Sequence, residues 1–316
     1  MIAVPQRAAG TLPGRLPPDA MFPTGRPGFR VATISTATGE RVRVVESGPP
    51  DGAPVVLVHG WGCSAYSFHR IMPALAAAGW RAIAPDLRGH GLSDMPPEES
   101  RYSVGAMTAH LLDTMGALRV EDAALIAHSL GAQFAIEAVL QAPARVTELA
   151  LLSPVGAGLV KLAVLGRLLT PHVVTPLLPR LAQPWVIRAA LGAAYGRLGG
   201  PTRSDVQEYW APSQFPAFAP AMRHLLHAPL WSTRPASDLA RVRVPTLVVF
   251  GTRDHLVPTH AVGDYVGAMP SARLELIEGA GHVLPHEAPD EINALLLGFL
   301  ESSRGRSGDR DREFTS

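Results

Sequence analysis

The sequence predicts an α/β protein built on a mainly parallel, doubly wound sheet that is led by an antiparallel hairpin. Three observations carry this: eight short β-branched or apolar runs, helix-like segments between the later ones, and a single long interval without any strand-like run. Residues 1–28 come first. They are rich in Pro, Gly and Arg and show no apolar period, so they read as an irregular extension. They also hold no continuous apolar stretch of the kind a secretory signal requires, so the expected location is cytoplasmic.

FRVATIS (29–35) and RVRVVES (41–47) follow one another with no helix between, as the strands of a hairpin do. The remaining runs are APVVLVHG, WRAIAPD, DAALIAH, VTELALLS, PTLVVFG and ARLELIEG. Helical patterns separate or follow them: YSFHRIMPALAAAG, YSVGAMTAHLLDTMGAL, LGAQFAIEAVLQA, HAVGDYVGAM and PDEINALLLGFLES. Parallel neighbours need such crossovers, because a tight turn can join only antiparallel strands. From Val155 to Leu239 the rhythm stops, leaving helix-forming segments broken by Pro and Gly. An insertion between two strands, lying as a helical cap over the C-terminal edge of the sheet, accounts for it. The expected organisation is a core of residues 29–154 and 240–302, a cap of 155–239 set before the strand at 244–250, and a disordered polar tail at 303–316.

Composition narrows the function. With 47% hydrophobic residues the chain can bury a large core, and 28 basic residues against 27 acidic ones give a net charge of +1, too weak a field to draw nucleic acid. Cys63 is the only cysteine, which excludes an internal disulfide and a multi-cysteine zinc site. The most apolar later stretch, from Leu159, is interrupted by Lys161, Arg167, Pro171, Pro176, Pro179 and Arg180. No membrane span of roughly 20 residues survives that, and short kinked helices are expected instead.

Chemistry concentrates at strand ends. In LIAHSLGAQ, Ser129 stands between an apolar strand and a helix, and a sharp turn there needs small residues two positions to either side. Ala127 and Gly131 meet that need, giving Ala-His-Ser-Leu-Gly, with Ala where G-x-S-x-G has its first Gly. Ser129 could instead serve only as a helix cap. A serine nucleophile requires a base and an acid to orient that base. His282, in a Gly-rich loop after the last strand, fits the first role, and Asp254, just past PTLVVFG with Pro258 opening the next helix, fits the second. His286 and His255 are rival bases displaced in sequence, and Asp86, among Arg88, Gly89, Gly91 and Ser93, reads as a structural acid. In HGWG, Gly60 lets the chain turn back and present the Trp61 backbone N–H toward Ser129, while the N–H of Leu130 supplies a second donor for an oxyanion.

These pieces resemble the α/β-hydrolase superfamily, in its capped, esterase-like branch. The matching motifs are HGWG (59–62), PDLRGHGLSD (85–94), AHSLG (127–131), GTRDHLVP (251–258) and GAGHVLPHEAP (279–289), spanning Val55 to about Leu300. The resemblance implies an eight-stranded sheet with its second strand antiparallel, a triad of Ser129, Asp254 and His282 in that chain order, and an oxyanion hole from Trp61 and Leu130. It disfavours dehalogenases and epoxide hydrolases of this fold, which carry aspartate where Ser129 stands.

The expected activity is hydrolysis of small apolar carboxylic esters, of short to medium acyl or aryl groups, through an acyl-enzyme, with no metal or organic cofactor. Amide or aminopeptide cleavage, C–C bond hydrolysis and perhydrolysis use the same triad and remain alternatives, as does a non-catalytic ligand-binding role. Neither nucleic acid nor stable membrane insertion is expected. In the cap, Lys161, Arg167, Arg180, Arg188, Arg197, Arg203, Arg223 and Arg234 outnumber Asp205, Glu208 and Asp238. This reads as a solvated basic face, the alternative being a surface that attracts anionic or interfacial substrates. Trp185, Tyr209, Trp210, Phe215, Phe218 and Trp231 are expected mostly in the core of the cap.

Overall fold

A computed structural model describes residues 14–257 and 259–313. Its centre is an eight-stranded sheet of β1 (Phe29–Ser35), β2 (Arg41–Ser47), β3 (Pro54–Val58), β4 (Arg81–Pro85), β5 (Ala123–His128), β6 (Val146–Leu152), β7 (Thr246–Gly251) and β8 (Ala272–Ile277). The strand order is β1-β2-β4-β3-β5-β6-β7-β8. β2 runs antiparallel to both its neighbours, and every other pairing is parallel. Position in the sheet explains composition: β5 (AALIAH) and β7 (TLVVFG) are buried at every residue, whereas the edge strand β1 is largely exposed.

Helices cover both faces. α1 (Met72–Ala77) and the C-terminal helix lie on one, where Met72 and Leu75 share a core with Val55 and Leu57 of β3. α2 (Val104–Ala117) and α3 (Gly131–Gln141) lie on the other, where Met107, Leu111 and Phe134 pack with Val56 and Val58. The alternation of β3 side chains between the two clusters is the period of two read from its sequence.

Between β6 and β7 the chain makes the expected insertion: α4 (Lys161–Leu169), α5 (Leu178–Leu181), α6 (Pro184–Ala194), α7 (Arg203–Trp210), α8 (Phe218–His227) and α9 (Ala236–Leu239). After β7 come α10 (Val262–Gly267), α11 (Leu284–Glu287) and α12 (Pro289–Glu313).

Two local expectations change. The tail expected to be disordered from 303 continues α12 to Glu313: no Pro interrupts residues 303–313, and extending a helix is far cheaper than starting one. The pattern YSFHRIMPALAAAG splits into a 3₁₀ turn at Ala65–Phe68 and α1, because Pro73 sits in the first turn of α1 and has no N–H to continue a helix from upstream. The N-terminal extension is irregular over 14–28, with one 3₁₀ turn at Pro18–Ala20, yet it is not loose. Met21 and Phe22 are buried, and the Phe22 backbone N–H donates to the Glu208 carboxylate of α7 at 2.8 Å. Residues 1–13 and Pro258, with the helix start expected there, lie outside the described residues.

Candidate active site

Ser129 ends β5 and precedes α3 with φ at +54°, in the left-handed region. That conformation costs a side-chain-bearing residue about 1–2 kcal/mol, and the surroundings fix it. The Ser129 N–H donates to the Leu152 carbonyl at 3.0 Å, and its carbonyl accepts from Val155 N–H at 3.1 Å and Ala132 N–H at 3.1 Å. A methyl at Gly131 would fall 2.3 Å from the Val58 carbonyl oxygen, so only glycine lets α3 start this close to β3. Ala127 is fully buried in the strand, and its methyl is accommodated there. The serine is therefore held up at the end of the strand by the backbone alone.

The loops after β7 and β8 bring His282 and Asp254 to it. His282 Nε2 lies 2.8 Å from Ser129 Oγ, and His282 Nδ1 lies 2.9 Å from Asp254 Oδ2. Nδ1 faces a carboxylate and so carries the hydrogen, which leaves Nε2 free to accept from the serine hydroxyl. Burial pushes the Asp254 pKa up, but the adjacent imidazole and the N–H groups of Leu256 and Val257, which donate to Oδ1 at 2.9 and 3.0 Å, outweigh it. Asp254 is thus held below the usual carboxylate range and stays ionised at neutral pH. The rival groups stand apart. His286 sits in α11 beside Asp205 and Tyr209. Asp86 is buried and accepts from Ala65 N–H, Leu92 N–H and Arg43, which makes it the structural acid expected.

The HGWG turn packs directly on Ser129: a methyl at Gly60 would come within 2.9 Å of Ser129 Cβ. Among the described residues, neither the Trp61 nor the Leu130 backbone N–H donates to a protein acceptor. Two further histidines, which the sequence reading did not single out, shape the site. His59 Nε2 accepts the Leu87 N–H at 3.0 Å, so its Nδ1 carries hydrogen and donates to the Gly60 carbonyl at 2.9 Å. Burial lowers its pKa to about 4 and keeps that tautomer neutral. His128 Nε2 donates to the His282 carbonyl at 2.9 Å, and burial, with the His282 charge second, lowers its pKa to about 3. Their signal was positional, since His128 ends β5 and His59 directly follows β3, each just before the turn it braces.

Glu287 was also missed. Its buried carboxylate accepts from the N–H groups of Gly281, Val283 and Gly196, clamping the His282 loop to the end of α6. His282 N–H in turn donates to the Ala194 carbonyl at 2.8 Å.

Over Ser129 lies a cavity of about 450 Å³. Its lining mixes strand-end residues with Val160, Ala163, Leu191, Phe218, Met222 and Trp231 of the insertion, and includes no Lys, Arg, Asp or Glu. Of the aromatic residues expected in the insertion core, Trp210 and Phe215 are buried, while Tyr209, Phe218 and Trp231 line the cavity. Trp185 does neither and is 72% exposed. Among the described residues, no group of three His, Cys, Asp or Glu side chains is placed to hold a metal ion.

A family model for the alpha/beta hydrolase fold matches residues 53–289. The chain belongs to this family. Among similar proteins, the magnesium-chelatase 30 kDa subunit of Rhodobacter capsulatus is 30% identical over 82% of this chain and 90% of that protein. A non-heme chloroperoxidase of Streptomyces lividans is 30% identical over 86% of this α/β-hydrolase and all of its own length. Among solved structures, a meta-cleavage product hydrolase from Pseudomonas fluorescens IP01 superposes with a TM-score of 0.72 at 25% identity, covering 86% of this chain and 98% of that one. These relatives support a hydrolase and do not single out the bond it cleaves.

Proposed function

We propose that this α/β-hydrolase cleaves apolar carboxylic esters through an acyl-enzyme formed on Ser129. The observation that carries the proposal is the unbroken chain of contacts from Asp254 through His282 to a serine held at positive φ. His282 takes the Ser129 proton as Oγ attacks the ester carbonyl, and Asp254 stabilises the imidazolium that results. The developing oxyanion is met by the N–H groups of Trp61 and Leu130, which have no protein acceptor of their own among the described residues. His282 then returns its proton to the departing alkoxide. Water, deprotonated by the same imidazole, attacks the acyl-enzyme; the acid leaves and Ser129 recovers its proton.

The insertion acts as the cap that selects substrate. Its cavity favours an uncharged ester with a medium-sized aliphatic or aryl acyl group: burial there is worth roughly 0.8 kcal/mol per methylene, and a substrate carboxylate or ammonium group would meet no opposite charge among the lining residues. The second point disfavours anionic C–C cleavage substrates and aminopeptides. A panel of chromogenic esters of increasing chain length, with aryl amides and hydrogen peroxide as controls, tests the reading. Activity rising with acyl length supports it; amide turnover or perhydrolysis without ester turnover contradicts it.

A further inference from the structure

The insertion's outer surface is unlike the rest of the molecule. From Leu159 to Trp185 one continuous run of chain exposes Leu159, Leu165, Leu168, Leu169, Val173, Leu177, Leu181 and Trp185, with Leu168, Val173 and Trp185 between 72% and 79% exposed. Folded soluble proteins scatter such residues singly; a contiguous set of them marks a surface that meets something apolar.

The charge around it is one-sided. Between Leu149 and Ser204 the sequence holds Lys161, Arg167, Arg180, Arg188, Arg197 and Arg203 and no Asp or Glu. Among the described residues none of these six lies within 4.0 Å of a carboxylate, and Arg167 and Arg188 reach only backbone carbonyls. Elsewhere several arginines do pair: Arg41 with Asp94, Arg43 with Asp86, Arg81 with Glu46 and Arg88 with Glu40.

The same helices separate this surface from the cavity. On α4, Ala163 and Gly166 face the cavity, as does Val160 just before the helix, while Lys161, Val164, Leu165 and Leu168 face outward. On α6, Ile187, Leu191 and Ala194 face the cavity while Trp185 and Arg188 face outward. The wall between the cavity and the exposed apolar surface is one helix thick.

We propose that the outer face of α4–α6 docks on an anionic lipid surface. Exposed aliphatic side chains and a tryptophan, interleaved along the chain with Lys and Arg that have no carboxylate partner, match the acyl boundary and the headgroups of such a surface. A second copy of this chain matches less well, since it would bring the same unpaired cations together. Docking there would set the cavity against the phase in which apolar esters accumulate.

Sedimentation of full-length protein with vesicles of phosphatidylcholine alone, or of phosphatidylcholine mixed with phosphatidylglycerol, tests this. Binding to the mixed vesicles is expected, weakening with salt, and far weaker binding to phosphatidylcholine alone. Leu168→Ser/Val173→Ser/Trp185→Ala and, separately, Arg180→Glu/Arg188→Glu should each lower the partition by roughly tenfold or more. Both leave the cavity lining untouched, so turnover of a water-soluble ester and the melting temperature should match wild type and show that the fold is intact. Equal binding to both vesicles would overturn the proposal, as would wild-type protein remaining in the supernatant, with or without a dimer that these substitutions abolish. Binding is read without turnover, so the result stands apart from the role given to Ser129.

Discussion

The sheet edge and the inserted helices treat their side chains in opposite ways. At the edge, Ser129, His282, Asp254, His59 and Glu287 are buried, hydrogen-bonded and fixed by backbone contacts. In α4–α6, leucines and a tryptophan stand in solvent beside unpaired cations. On the function proposed above, the difference separates two tasks. Bond breaking needs groups held to within fractions of an ångström, whereas choosing and receiving a substrate needs shape and surface character.

The strongest way to break the comparison is to remove one fixed group. Ser129→Ala should lower ester turnover by roughly 10⁴-fold or more with an unchanged melting temperature, measured by steady-state kinetics and calorimetry. Retained turnover would mean that the sheet edge is not where bonds are cleaved. Gly131→Ala should cost stability as well, about 1–3 kcal/mol in chemical denaturation, because its methyl would meet the backbone carbonyls of Val58 and His59 at 2.3 and 2.7 Å. A stability equal to wild type would show that the turn is looser than this geometry.

The β5 turn was legible in the sequence because its constraints are local: a strand must end, a helix must start and the neighbours must be small. The eight strands were legible for a related reason, since the two-residue period and the intervening helices leave few alternatives. The insertion was less so. α4 and α6 are apolar on both faces, so no period says which face turns inward, and Trp185, expected in a core, points to solvent. Glu287 was hidden because its partners are backbone N–H groups, which no side-chain pattern marks, one of them at Gly196, far back in the chain; the packing of Phe22 likewise depends on Glu208, far along the chain.

Smaller effects sharpen the contrast. Glu287→Ala frees the N–H groups of Gly196, Gly281 and Val283, so kcat should fall by roughly tenfold with KM little changed, as loss of a positioning group does. A fall in binding alone would place Glu287 in the substrate pocket instead.

Glu208 links the N-terminal segment to α7, and burial raises its pKa to about 7 despite the Phe22 N–H and the charges of Arg43 and Arg26. The folded state therefore holds this proton more tightly than the unfolded chain. That stabilisation is complete below the ordinary carboxylate range and is lost as pH rises through about 7. Glu208→Gln keeps an acceptor for Phe22 and should be the more stable protein at pH 8 by about 1–2 kcal/mol, with the gap closing toward pH 4. A gap independent of pH would remove Glu208 as its source. The smallest effect belongs to the outer surface, where Leu168→Ser should change stability by no more than about 0.5 kcal/mol.

The central claim, that the sheet edge carries an activated serine, is tested most directly by mass spectrometry after labelling with a fluorophosphonate. A single adduct on Ser129 is expected in wild type, with no adduct in Ser129→Ala and greatly slowed labelling in His282→Ala. A wild-type protein that takes no label, or takes it on another residue, would contradict the account.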